Sequence, residues 1–175
     1  MFKHSDGIHL LRARSWGPDD ADLAIYYDVS LSGMGFWSPK LRCGFFTDEL
    51  PSVPSPHLAG SIFWYESLTV LSTLLWASSL PHWPCRISIF TDSMNTMEIF
   101  HFLQAFKGYN IILRYASEVL ISTGIDLRVW HIPGAENIVT DVLSCQLFHV
   151  LLQYAPHLQL STFIPPQLPL GAVSQ

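Results

Sequence analysis

The stretch LAIYYDVSLSGMGFWSP, residues 23–39, decides how the rest of the chain is read. LAIYYDV is apolar, rich in aromatic and branched side chains, and suits a buried strand. It runs out at a single acid, Asp28. Ser30, Ser32 and Gly33 then suit a tight turn, and GMGFWSP starts a second strand that stops at Ser38-Pro39-Lys40. LRCGFFTDEL, residues 41–50, follows at a short interval. Three short strands in succession predict an antiparallel meander.

Outward from this meander the punctuation changes. PSVPSPH, residues 51–57, is a proline-rich loop. From about Ser61 to Leu80 a helix is expected, because Trp64, Leu68, Leu71 and Leu75 recur at three- and four-residue steps; Glu66 lies in its first turn, and Pro81 and Pro84 end it. RISIF is a buried strand, and TDSMNTMEIFHFLQAF opens with capping residues and runs helical. YNIILRYASEVLIST is a helix ended by Gly124. IDLRVWHI is a last strand, and AENIVTDVLSCQLFHVLLQYA a last helix. Hairpin strands followed by alternating units predict an α/β fold with a mixed five-stranded sheet and helices on both faces. Residues 1–21 read as an irregular N-terminal segment, 22–153 as the domain, and 154–175 as a proline-rich tail, extended or disordered.

The chain of 175 residues carries 49% hydrophobic and only 13% charged residues, against roughly 25% charged in an average domain. Apolar material for a core is ample, and the surface is poor in charge. The net charge of -5 opposes simple nucleic-acid binding, although two divalent cations would bring it to -5 + 4 = -1. Nine Lys and Arg remain to hold phosphates. Cys43, Cys85 and Cys145 lack metal-ligand spacing and fit a reducing compartment. MFKHSDGIHLL lacks the pattern of a secretory leader. The longest apolar stretch, residues 67–80, is too short to span a bilayer. The expectation is an intracellular protein of the nucleus or cytoplasm, with no membrane partner.

Four acids stand at junctions between expected elements. Asp28 and Asp92 leave strands, Glu66 opens a helix and Asp141 lies inside one. Ligand sites in open α/β sheets lie at the carboxyl ends of strands, so Asp28 and Asp92 are expected side by side on two central strands. Glu66 and Asp141 can reach the same point. Clustered carboxylates repel one another unless a cation holds them, and an oxygen-only set suits magnesium or manganese. Two such ions serve phosphodiester hydrolysis without a protein nucleophile. Neither a Ser-His-Asp order nor a G-x-S-x-G elbow is present.

YDVSLSGMGFW, YESLTVLSTLLWA, FTDSMNTMEIF and HIPGAENIVTDVLS together resemble the ribonuclease H domain of reverse-transcribing retroelements, gypsy-type and DIRS-type polyproteins above all. The resemblance spans about residues 22–148, and the last block is the most specific. It implies the ribonuclease H-like fold and hydrolysis of the RNA strand of RNA–DNA hybrids with two magnesium ions, manganese being the alternative. It implies metal ligation by Asp28, Glu66, Asp92 and Asp141, with Asp28 and Asp92 central. Two departures stand out. Tyr27-Asp28-Val29-Ser30 replaces the family's Thr-Asp-Ala-Ser, and Cys145 stands where the family has an Arg. The alternative reading is a non-catalytic, domesticated interaction module on the same fold. A DNA-strand nuclease or transposase is a third, which the HIPG-x-x-N block opposes.

Other residues carry two readings each. His131, ten residues before Asp141, is either a mobile proton-transfer group, as cellular ribonucleases H have at similar spacing, or the packed end of a strand. Asn137 shares a helical face with Asp141 and either contacts substrate, orients that acid or caps the helix. Ser30, Ser32 and Gly33 either touch RNA 2′-hydroxyls or form a turn. Ser93 and Asn95, beside Asp92, are further substrate-binding candidates. Trp37, Trp64, Trp76, Trp83 and Trp130 are stacking surfaces or, for most of them, core. Lys107, Arg114 and Arg128 are phosphate contacts or solvated charges. Hybrid binding by the domain alone is expected to be weak, with a polymerase domain supplied in trans as a second partner.

Overall fold

The computed structural model describes residues 16–53, 61–104 and 108–168. Its strands are β1 (Leu23–Val29), β2 (Met34–Ser38), β3 (Cys43–Phe46), β4 (Arg86–Thr91), β5 (Asp126–His131) and β6 (Gln159–Thr162). Its helices are α1 (Ile62–Ser78), α2 (Met94–Phe102), α3 (Asn110–Thr123), α4 (Ile138–Ser144) and α5 (Phe148–Tyr154). The sheet order is β5-β4-β1-β2-β3-β6. β1, β2 and β3 form the expected antiparallel meander, while β4 runs parallel to β1 and β5 parallel to β4.

β1 alternates between fully and half-buried positions, so its two faces differ. Ile25 and Tyr27, together with Ile87 and Ile89 of β4, enter the main core beneath α1 and α3. The opposite face carries a smaller cluster in which Val142, Leu143 and Leu151 of α4 and α5 pack with Trp37 and Phe46. α1 is buried almost all round, a different outcome from the single apolar face expected. Leu75 is among its exposed residues, whereas Thr69, Ser72 and Thr73 are buried. The polar members survive burial because Ser67, Thr69 and Ser72 each donate to the carbonyl four residues back, at 2.7–2.9 Å.

Three expectations are corrected. The sheet has six strands rather than five, because residues 159–162 of the proline-rich tail pair in parallel with β3. Phe163 then packs edge-on against Phe36 at 5.0 Å between ring centres, which ties the strand's end to the core. The last helix is two helices: Gln146 adopts a left-handed φ of 58° between α4 and α5. Glu66 lies a full turn inside α1, whose first helical residue is Ile62. At the N-terminal side, Trp16 is buried and donates to Asp126 at 2.6 Å, so residues 16–20 are part of the folded body. Lys107 falls outside the described residues.

Candidate active site at the carboxyl end of the central strands

β1 and β4 are neighbours in the sheet, with Tyr26 opposite Phe90. Asp28 and Asp92 each stand two residues beyond that pair. Parallel strands therefore bring both acids to one end of the sheet, as the sequence predicts. Asp28 is half-buried and Asp92 exposed. Burial pushes the Asp28 carboxyl up to about 6; a hydrogen bond from Ser144 opposes this, and the charges of Asp92 and then Asp141 add to it. Asp28 thus feels the charges of both Asp92 and Asp141. Asp141 is exposed in the first turn of α4, on the second face of the sheet.

Glu66 approaches from α1 on the first face. Ser93, the residue after Asp92, donates its hydroxyl to Glu66 Oε2 at 2.5 Å, and Thr96 adds a contact to the same oxygen at 3.2 Å. Ser93 is also the N-cap of α2, accepting from the Thr96 amide. One carboxylate oxygen is thus pinned by the start of α2. Burial raises the Glu66 pKa most, and the Asp92 charge raises it further against the two hydroxyls.

α4 is held on the sheet by close approach. A β-carbon on Gly35 would lie 2.9 Å from both Leu143 Cβ and the Ser144 amide, so only glycine admits the helix there. Ser144 then donates to Asp28 Oδ2 at 2.8 Å. Asn137 fixes the other end of α4. It is buried, its amide donates to the Tyr27 carbonyl at 2.9 Å, and its side-chain oxygen accepts from Thr140. It stands at the N-cap position without a side-chain bond to the helix backbone. Burial removes Asn137 from the substrate-binding candidates; it docks α4 beside Asp28.

The remaining candidates divide. Gly33 is buried and is likewise removed from the substrate contacts. Ser30 donates to the Ser144 carbonyl at 2.8 Å and accepts from the Ser32 amide, so its hydroxyl serves the turn. The Ser93 hydroxyl serves Glu66. Ser32 and Asn95 are exposed at this end of the sheet. His131 is exposed at the end of β5, opposite Thr91, the residue before Asp92. Trp64 is core, Trp37, Trp76 and Trp130 are half-buried, and Trp83 is exposed. Arg128 is engaged with Trp16, donating to its carbonyl and lying over its ring. Arg114 faces Glu118 at 3.8 Å on α3. Gln146, to which no sequence pattern pointed, donates to three backbone carbonyls next to the Asp28 turn.

The donor set is all carboxylate oxygen, the chemistry that suits magnesium or manganese. Two half-buried members have raised pKa values, a cost that a bound dication removes. Among the described residues, no three His, Cys, Asp or Glu side chains are gathered tightly enough to hold one ion.

No protein-family model and no curated protein matches the sequence. Among solved structures, the chain is similar to the RNase H1 of the halophilic archaeon Halobacterium salinarum NRC-1. The TM-score is 0.51 at 15% sequence identity, and the match covers 73% of this chain and 98% of that chain. The architecture is therefore the ribonuclease H-like fold.

Proposed function

We propose that this domain is a ribonuclease H-type nuclease, descended from a retroelement, that cuts the RNA strand of RNA–DNA hybrids with magnesium or manganese. One observation carries the reading: Asp28 and Asp92 end adjacent parallel strands, while Glu66 and Asp141 reach the same end from opposite faces. In a bland fold these acids would be dispersed over the surface, where carboxylates are best solvated.

Asp28 and Asp92 would hold cations centrally, with Glu66 on one side and Asp141 on the other. Bound dications would supply an activated water and stabilise the leaving oxygen. The chain's own part is to orient the ligands. Ser93 and Thr96 restrain one Glu66 oxygen, leaving Oε1 for the site, and Ser144 restrains Asp28 in the same way. His131, exposed at the end of β5, would carry a proton to or from the cleaved strand.

The test is cleavage of a labelled RNA–DNA hybrid. Wild-type protein with magnesium or manganese should cut the RNA strand, and Asp92→Asn should not. Equal inactivity of the two would refute the nuclease.

A second reading, a non-catalytic interaction module on this fold, is favoured by one observation: no three acids are gathered for an ion among the described residues. Metal-dependent cleavage that disappears in Asp28→Asn would refute it.

A further inference from the structure

Gln146 stands in a left-handed conformation, with φ 58°, directly after the helix that carries Asp141. That backbone is unfavourable for a residue with a β-carbon, and glycine is its usual occupant. The side chain offers a reason for glutamine. Its Nε2 lies 3.1 Å from each of three backbone carbonyls, those of Ser32, Thr47 and Asp48. An amide has two hydrogens, so three acceptors are more than it can satisfy singly. It therefore draws together the β1–β2 turn, the exit of β3 and the end of α4.

Besides Gln146, the turn has bonds of its own, among them the Ser32 amide to the Ser30 hydroxyl. Ser30 donates to the Ser144 carbonyl and its own amide closes the turn on Gly33. Gly33 is wedged in place, because a β-carbon there would lie 2.9 Å from the Thr47 carbonyl and 3.4 Å from Gln146 Nε2. Beyond these anchors the tip, Leu31 and Ser32, is open to solvent, Leu31 being 87% exposed. This tip follows the end of β1, three and four residues after Asp28. On the nuclease reading, a nucleic-acid strand bound at Asp28 would meet this tip.

We infer that Gln146 is a positioning residue for substrate: by stapling three carbonyls it fixes how far the Leu31–Ser32 tip reaches toward the sugar–phosphate backbone of the bound hybrid. The inference rests on the nuclease reading above. Gln146 touches neither the cations nor the reacting phosphate. Its effect falls on substrate capture and not on the chemical step.

The experiment compares wild type, Gln146→Leu and Gln146→Gly in steady-state cleavage of a labelled hybrid with magnesium, with Asp92→Asn as the inactive control. Glycine accepts the left-handed backbone, so the second variant removes the staple without strain. Both variants should raise KM about tenfold, the equivalent of about 1.4 kcal/mol, with kcat within about twofold of wild type. Gln146→Lys, which returns hydrogen-bond donors to the carbonyls, should recover most of the loss. Amide hydrogen exchange should quicken in both stapleless variants at Ser32 and Gly33 and stay unchanged in β1 and β4. An unchanged KM, or equal loss in kcat and KM that follows thermal stability, overturns the inference while leaving the nuclease intact. Wild type as inactive as Asp92→Asn overturns the nuclease reading and the substrate role with it.

Discussion

At the scale of single residues, two acids of the candidate site, Asp28 and Glu66, are half-buried at a cost. The folded pKa of Asp28, about 6, lies above its unfolded value of roughly 3.9. The folded state therefore binds this proton more tightly. The resulting stabilisation is fully present below about pH 4 and is lost as pH rises through about 6. Glu66 shifts in the same direction. In chelator, Asp28→Asn should thus be more stable than wild type at pH 7.5 by about 3 kcal/mol, given about 1.4 kcal/mol per pKa unit. The gap should close below pH 4. Thermal melts across a pH series check this, and a variant no more stable at pH 7.5 would mean that burial does not penalise the charge. Magnesium should raise the wild-type melting temperature more than that of Asp28→Asn.

At the scale of elements, the site depends on how α4 is seated. Its three anchors are Gly35 beneath Leu143, Asn137 on the Tyr27 carbonyl, and Ser144 between Asp28 and its own helix. Gly35→Ala places a methyl group 2.9 Å from backbone as well as side chain, so the helix itself must move. A cost of about 1–3 kcal/mol is expected, the usual range for overpacking. Because the shift separates Asp141 and Ser144 from Asp28, hybrid cleavage should fall by at least about tenfold, since about 1.4 kcal/mol is a factor of ten. Denaturant unfolding and cleavage rates measure the two losses, and an active, fully stable Gly35→Ala protein would show that α4 is not seated by close approach. The sequence places Asp141 in a helix. It does not reveal the break at Gln146, because no glycine or proline marks it and the stop depends on carbonyls from other parts of the chain.

At the scale of the whole molecule, the chain is poor in cations, and several of those among the described residues are already engaged. Nine Lys and Arg face a net charge of -5. Arg128 is engaged with Trp16, Lys40 donates to the Asp22 carbonyl, and Arg114 faces Glu118. Hybrid affinity should therefore be micromolar or weaker at physiological salt, the regime of binding through a few phosphate contacts, with Kd of roughly 10⁻⁴–10⁻⁶ M. It should fall further in chelator, where unneutralised carboxylates repel the backbone. Fluorescence anisotropy with a labelled hybrid tests this, and a nanomolar complex in chelator would reveal a binding surface of another kind.

What the sequence determines by itself is local. Alternation and turn residues mark the meander from Leu23 to Phe46, a capping signal marks the start of α2 and Gly124 the stop of α3; the stop of α2 at Phe102, four residues before the expected end of its helical run, is not marked. The blocks around Asp28, Glu66, Asp92 and Asp141 mark the acids, and the strand-rich order with later crossovers is enough to expect Asp28 and Asp92 as neighbours. Tertiary structure alone decides what each polar side chain faces. Asn137 turns inward because α4 closes over it, Gly33 is buried against the β3 exit, and Ser93 turns to Glu66 because α1 passes above it. β6 follows the same logic: Gln159–Thr162 carries no strand alternation in its burial, being exposed throughout, and pairs because β3 offers an unfilled edge and Phe163 an anchor beside Phe36. Local propensity cannot encode a partner that lies a hundred residues away; backbone hydrogen bonds and close packing supply it only once the sheet exists.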